Sequence, residues 1–506
     1  MGKNIFNSVQ VEKPKKNVFD LSHDVKMSMK MGNLTPVLVT ECVPGDSFQI
    51  GCDSLIRFAP MVAPVMHRMD VSVHYFFVPN RLTWDNWEKY IVDANTPNPL
   101  PYINYTDDFT ADQKKFLDYM GVPPNTGTGI TQALNALPIA AYQAIYNEYY
   151  RDENLVSEVD YTLADGNNTG DVVDLVKMRQ RAWEHDYFTA SLPFAQKGTA
   201  VDIPIGSIDS DVAVNWNGLN VGVNEVIGSY NGGSVGPTFV GLSNGEATLG
   251  NPNLIAKTSD LDIAPTTIND LRRAFRLQEW LEKNARGGTR YIENILMHFG
   301  VRSSDKRLQR PEYITGLKTP VIISEVLNTS ATAEEAQGNM AGHGVAVSTG
   351  KYGNYFCEEH GYIIGIMSVM PQPAYQQGIP KTYLKSDPLD FFWPSFAHIG
   401  EQPVTNNELY AYTATAEDTF GYVPRYAEYK YQPSRVAGDF RTVLDYWHLG
   451  RIFATQPALN QAFIECDPDQ VERIFAVQDG EDNLYCQIMH KIKAVRPMPK
   501  FGTPNF

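Results

Sequence analysis

Cysteine is scarce in this chain. Cys42, Cys52, Cys357, Cys466 and Cys486 form no CxxC pair and leave one over after any pairing in 506 residues. A disulfide framework is therefore not expected, and reduced thiols in a cytoplasmic setting fit better. No apolar run reaches about 18 residues and no charged-then-apolar segment opens the chain, so membrane insertion and a secretory signal are not expected either. Phe6 stands where a myristoylation motif beginning at Gly2 needs Ser or Thr, so a lipid anchor is not expected.

Catalytic signatures are missing as well. There is no HExxH, and the ten His have no metal-ligand spacing; His67, His74, His185, His298 and His360 read as ordinary hydrogen-bonding residues. Acids such as Asp165, Asp171 and Asp174 lack the EF-hand pattern and read as solvated loop. Gly232–Gly236 matches GxSxG but lies in a Gly/Asn-rich stretch with Pro237 behind it, not on a strand–elbow–helix. Gly350-Lys351 fails as a P-loop, because Val345 and Tyr352 replace the required Gly and Ser/Thr. No cofactor is expected, calcium bridging acidic loops at an interface being the one metal left open. A glycosidase carboxylate pair also stays open, since distance rather than spacing defines it.

What is present is a β pattern. In Met69–Val78 the residues Met69, Val71, Val73, Tyr75 and Phe77 share one face; Asp70, Ser72, His74, Phe76 and Val78 share the other. Phe76 and Val78 make the second face apolar at its far end, so it is expected to meet another layer or another chain. Strands are also expected at Val37–Val43 and Phe48–Ile50. Tyr362–Met370 reads as a strand buried on both faces, and Leu484–Ala494 alternates with Leu484, Cys486, Ile488, His490 and Ile492 on one side. Helices are expected after a Thr83 cap, at Asp112–Met120, at Ile139–Tyr150, from a Thr267/Asp270 capping box to Gly287-Gly288, and at Tyr291–Phe299. Residues 328–354, rich in Ala, Gly, Ser and Thr, read as a long loop. Strands at both ends with long excursions between predict one antiparallel sandwich.

Charge is segregated. The whole chain carries −16, yet residues 1–30, 270–310 and 487–506 together carry +12. Residues 1–33 and 495–506 read as extended arms flanking a single domain over 34–494. Residues 198–256 hold no Lys or Arg, eleven Gly and eight Asn, so 198–266 reads as an exposed inserted module with Trp216, Tyr230 and Phe239 as its apolar content.

Six blocks carry a family resemblance: FAPMVAPVMHRMDVSVHYFFVPNRLTWDNWEKYI (58–91), RAWEHDYFTASLPFAQKG (181–198), the 271–316 stretch opening LRRAFRLQEWLEKNARGG, IIGIMSVMPQPAYQQGIPK (363–381), PRYAEYKYQPSRVAGDFR (424–441) and VRPMPKFGTPNF (495–506). They resemble the major capsid proteins of the Microviridae, nearest the gokushovirus branch. The resemblance implies a mainly β viral jelly roll, an eight-stranded antiparallel β-sandwich with long inserted loops and α-helices. It implies self-association through pentamers into a T = 1 icosahedral shell around a circular single-stranded DNA genome, with internal scaffolding and DNA pilot proteins as partners. The insertion at 198–266 would be the threefold protrusion that meets a host cell-surface receptor, with Trp216, Tyr230 and Phe239 as contact candidates. Candidate inner-surface DNA contacts are Lys3, Lys13, Lys15, Lys16, Lys491, Lys493, Arg496 and Lys500. Candidate intersubunit residues are Arg272, Arg273, Arg276, Phe501 and Phe506; interspersed acids would pair many of the arginines. The competing readings are a soluble carbohydrate-binding β-sandwich and a glycoside hydrolase.

Overall fold

The computed structural model describes residues 14–93, 98–124, 129, 131–201, 214–216, 254–256, 267–327, 340–350, 352–478 and 480–501. Eleven strands build its framework. They are β1 (Asn17–Asp20), β2 (His23–Met29), β3 (Thr35–Cys42), β4 (Ser47–Phe58), β5 (Met69–Pro79), β6 (Glu312–Pro320), β7 (Ile322–Leu327), β8 (Met340–Thr349), β9 (Gly353–Phe356), β10 (Gly361–Pro371) and β11 (Leu484–Arg496). One sheet has seven strands along the path β1-β11-β4-β8-β7, with β2 also on β11 and β9 also on β4; the other has four, ordered β6-β5-β10-β3. Every pairing in both is antiparallel.

Counting β1/β2 as one strand and β7/β8/β9 as another leaves eight in succession. The sheets then run 1-8-3-6 and 2-7-4-5. Consecutive strands change sheet at every step except 4 to 5, which pair within the four-stranded sheet, and that is the two-Greek-key wrap of a jelly roll. Two excursions interrupt it, residues 80–311 between β5 and β6 and residues 372–483 between β10 and β11.

The inward faces of the sheets meet in one apolar cluster. Met69, Val71, Val73, Tyr75 and Phe77 of β5 lie in it with Ile488 and Ile492 of β11 and Ile56 and Phe58 of β4. The opposite face of β5 is buried too. Phe76 and Val78, with Ile364 and Ile366 of β10, belong to a second cluster that holds Trp84, Phe116, Tyr142 and Tyr146. Those aromatics come from the first excursion, chiefly α1 (Ala111–Tyr119) and α2 (Leu137–Ile145). The extra layer that the apolar end of β5 calls for is thus supplied by the chain itself. Thr110 opens α1 with a capping box, its hydroxyl accepting from the Gln113 N–H at 3.2 Å. A third cluster forms around the ribbon of Glu401–Thr405 and Thr419–Pro424.

The structure departs from the sequence reading in several places. Residues 17–29, read as arm, form β1 and β2 along β11, because Met27 and Met29 turn inward against the sandwich core. The stretch read as a loop at 328–354 contains β8 and β9. Its glycines allow close approach rather than freedom: a Cβ on Gly342 would lie 2.4 Å from the Ala63 carbonyl oxygen, and one on Gly344 2.8 Å from Phe58. Thr83 does not cap a helix; its hydroxyl donates to the Asn80 carbonyl at 3.0 Å within a short turn, and the helix spans only Trp87–Val92. The terminal stretch from 495 begins inside β11, and Asn17 holds it further along by donating to the Met498 carbonyl at 2.7 Å. The sequence-predicted ends of the later helices hold: Thr267 and Asp270 bond reciprocally at the start of α3 (Ile268–Gly287), and Gly300 at φ 68° ends α4 (Tyr291–Phe299).

Gln196–Lys283 forms a separate compact unit. Within it Val214–Trp216 pairs antiparallel with Leu254–Ala256, and the Lys197 N–H donates to the Leu281 carbonyl at 3.2 Å on α3.

Candidate nucleic-acid and assembly surfaces

Strand alternation decides where the basic candidates go. Leu484, Cys486, Ile488, His490, Ile492 and Ala494 of β11 point into the sandwich; Tyr485, Gln487, Met489 and Lys493 point out, and Lys491 shares their parity. Register extends that outer face across the sheet. Ser28, Tyr485, Arg57 and Val345 form one row; Lys26, Gln487, Leu55 and Val347 form the next. Asp24, Met489, Asp53 and Thr349 follow, and Asp20, Lys493, Gln49 and Asn354 form a further row. At the rim, Lys16 donates to the Gly45 carbonyl at 2.7 Å and lies over the Phe356 ring at 5.3 Å. Lys15 and Lys500 are exposed, with the Lys500 ammonium 5.9 Å from the Phe501 ring.

This face therefore collects Lys26, Arg57, Lys491 and Lys493, with Lys16 at its rim, against Asp20, Asp24 and Asp53. Lys491 pairs with Asp53, which raises its pKa. Hydrogen bonds from Ser22 lower that of Asp20. Exposed apolar side chains stand among the charges, with Tyr485 at 51% and Val347 at 64% exposure. A flat surface of spaced cations and an aromatic can neutralise phosphates and stack bases without reading sequence.

Arg496 is not part of it. Its even parity with Ile492 and Ala494 turns it to the sandwich rim, where it lies 3.3 Å from Asp46, donates to the Glu41 carbonyl at 2.6 Å and covers Phe48. As a DNA contact it is withdrawn. Lys3, Lys13, Phe506, Tyr230 and Phe239 lie outside the described residues, and Trp216 is placed only as the end of its short strand. Phe501 is 73% exposed. Of the arginines on α3, Arg272 and Arg273 are exposed, and Arg276 pairs with Glu279 at 2.5 Å. The later arginines serve internal pairs: Arg286 with Glu401, Arg290 with Glu153, and Arg310 with Glu148 at 3.5 Å and Asp305 at 3.4 Å.

Residue order alone does not single out Lys26 and Arg57. Their alternation is the available signal, but only register across β2, β11 and β4 places them together. The five thiols are all buried and free. Among the described residues no three His, Cys, Asp or Glu side chains cluster as a metal site, and no helix is long and apolar enough to cross a membrane.

Comparison with known proteins bears on the whole chain. The profile of the family described as capsid protein (F protein) matches residues 7–506. Capsid protein VP1 of Chlamydia phage 1 is 33% identical over 99% of this chain and 98% of its own length. VP1 of Bdellovibrio phage phiMH2K is 36% identical over 96% and 94%, and VP1 of Spiroplasma virus 4 is 30% identical over 96% and 94%. A relationship of this extent leads to one conclusion: the chain belongs to the phage F capsid-protein family, as a major capsid protein of the Microviridae and a structural component of the virion.

Proposed function

We propose that copies of this chain associate, through pentamers, into a closed T = 1 shell around a circular single-stranded DNA genome, with the outer face of the seven-stranded sheet turned towards the DNA. The observation that carries the genome-facing part is the gathering of Lys16, Lys26, Arg57 and Lys493 beside exposed Tyr485 on one face, while the chain as a whole is acidic. Self-association rests on the family. Internal scaffolding and DNA pilot proteins belong to the same reading, as does a host receptor for the module at 198–266, and no cofactor is required.

The test neutralises three cations of this face that make no ion pair holding the fold, in the triple variant Lys16→Gln, Lys26→Gln and Lys493→Gln. Particles should still assemble with unchanged diameter, sedimenting more slowly only by the DNA mass they lose. Affinity of the unassembled chain for single-stranded DNA should fall, and its salt slope should flatten by about 2, at roughly 0.7 for each phosphate that no longer meets a cation. Packaged DNA per particle should drop severalfold. Unaltered DNA content and salt slope would remove the genome from this face.

A further inference from the structure

The second excursion carries a surface of a different kind. Residues 380–399 contain only single turns, at Lys381–Tyr383, Pro388–Asp390 and Pro394–Phe396, and run outward from the third core cluster. The segment is nonetheless firmly held. The Trp393 indole N–H donates to the Pro388 carbonyl at 2.9 Å, and Arg425 donates to the Leu389 carbonyl at 3.3 Å. The buried Tyr426 hydroxyl donates to the Phe391 carbonyl at 3.3 Å and accepts from the Trp393 N–H at 3.2 Å. Asp390 accepts from the N–H groups of Ser386 and Asp387.

This scaffold presents aromatics to solvent. Tyr383 is 78% exposed, Phe391 53%, Phe392 49%, Trp393 48%, Tyr429 54% and Tyr431 45%. At about 200 Å² for a whole aromatic side chain, six of them half exposed offer roughly 600 Å². That reaches the largest apolar patch a lone soluble protein usually shows and approaches the roughly 800 Å² per partner of a stable interface. An open patch of that size is costly for a chain that stays alone.

Charge then selects the occupant. Three cations beside the patch are already engaged, whereas Lys430, between Tyr429 and Tyr431, is exposed and donates to the Arg425 carbonyl at 2.8 Å. Lys385 lies 3.4 Å from Glu428 with both side chains nearly buried, and its ammonium sits 4.0 Å over the Tyr429 ring. Lys381 pairs with Glu408 at 3.2 Å, and Arg425 stacks 4.6 Å from the Tyr426 ring. Asp387 and Asp390 stand exposed at the margin. A phosphate backbone would meet these exposed carboxylates as well as Lys430 and Arg435. A broad aromatic surface with most of its neighbouring charges paired internally is the composition of an interface core between proteins.

We infer that the aromatic surface formed by Tyr383, Phe391, Phe392, Trp393, Tyr429 and Tyr431 is buried against a second copy of this chain in the assembled shell. The inference rests on the proposed self-association and names the part of the surface that carries it. It concerns the second excursion and owes nothing to the basic sheet face.

Oxidative footprinting of Tyr and Trp, read by mass spectrometry, tests it on the full chain, unassembled and in purified particles with and without packaged DNA. Tyr383, Trp393 and Tyr429 should be labelled in the free chain and protected at least fivefold in both kinds of particle. Protection seen only in DNA-filled particles would assign the patch to the genome, and equal labelling throughout would leave it a free surface; either outcome overturns the inference. A paired variant, Phe391→Ser with Trp393→Ser, should abolish particles while the free chain keeps a cooperative thermal transition, lowered by a few degrees at most for the lost Trp393–Pro388 hydrogen bond. Tyr383→Ser, at the most exposed position, should lower particle yield severalfold should the paired variant fold poorly. Wild-type chain that forms no particles even when produced with the whole phage gene set would defeat self-association itself, whereas wild-type assembly with normally assembling variants would defeat only the assignment of this patch.

Discussion

The two sheets of the sandwich share a core and differ on their other sides. The centre of the four-stranded sheet is covered twice: every residue of β10 is buried, and so is every residue of β5 except His74, while the edge strand β6 stays partly open. The seven-stranded sheet is covered once, and β11 and β4 alternate between core and solvent. A strand buried on both faces is committed to packing on both. A strand with one open face can hold spaced charges at no cost to the core, since neighbouring residues never share a side. The basic face can exist on one sheet of this fold and not on the other.

The largest effect should come from breaking the doubly covered sheet. Phe76 is 2% exposed and packs between β5 and the helical layer, with its ring centroid 4.7 Å from Tyr149 and 5.6 Å from Tyr313. Phe76→Ala should cost about 3–5 kcal/mol, because the helices and sheet cannot both close on the void. The fall in the urea midpoint of the unassembled chain measures it. A loss under about 1 kcal/mol would mean that the helical layer does not stabilise the sheet.

An intermediate effect belongs to the polar pin between the sheets. His490 of β11 is fully buried, with Nε2 2.9 Å from the Val37 carbonyl and Nδ1 3.0 Å from the Tyr75 hydroxyl, both on the opposite sheet. The carbonyl can only accept, so Nε2 carries the proton and Nδ1 accepts from Tyr75. Burial pushes His490 down to about 4, and His67 and His74 likewise. Their folded pKa values lie below the unfolded 6.5, so the unfolded chain takes up protons first as the medium acidifies. The associated stability is whole above pH 6.5 and is lost between about pH 6.5 and 4, at roughly 3 kcal/mol for each histidine over the full window. Urea midpoints at pH 7.5 and pH 5 should differ clearly in the wild type. In His490→Gln the pH 7.5 midpoint should fall while the difference shrinks by roughly a quarter to a third, its share beside His67, His74 and the likewise lowered His448. An unchanged difference would show that His490 does not titrate in that window.

These contrasts also show what can be read from residue order. Alternation in Met69–Val78 announces both faces of β5 and the need for a covering layer, because a period of two survives without knowledge of the partner. The same rule applied to Leu484–Ala494 places Arg496 on the core side with Ile492, away from Lys493, so its withdrawal as a DNA contact is legible one step further along. β8 is hidden for a different reason: Gly342 and Gly344, which look like loop residues, are required by the close approach of Ala63 and Phe58, and that approach is a tertiary fact. Residues 17–29 look like an arm because their ladder partner lies more than 450 residues away in β11. The basic face shares this obstacle, since Lys26, Arg57 and Lys493 are brought together only by register. The aromatic patch is visible as composition in Phe391–Pro394, but nothing in residue order distinguishes an exposed aromatic from a buried one.

The smallest effect sharpens the comparison most, because it lies within one strand. Leu484 and Cys486 of β11 are 0% and 4% exposed, while Tyr485 between them is 51% exposed on the outer face. Leu484→Ser would place a hydroxyl in the sandwich and should cost several kcal/mol, from lost burial and an unpaired polar group together. Tyr485→Ser removes a ring that meets water on one side and should change the urea midpoint of the free chain by no more than about 0.5 kcal/mol. If the outer face meets DNA, the same change should weaken single-stranded DNA binding by roughly 1–3 kcal/mol, the worth of one stacked base. The salt slope should not move, because every cation that meets a phosphate is still in place. A stability loss comparable to that of Leu484→Ser would mean the outer face is packed, and the difference between the two sheets would disappear. An unchanged DNA affinity would leave the cations as they are and remove stacking from the way this face holds the strand.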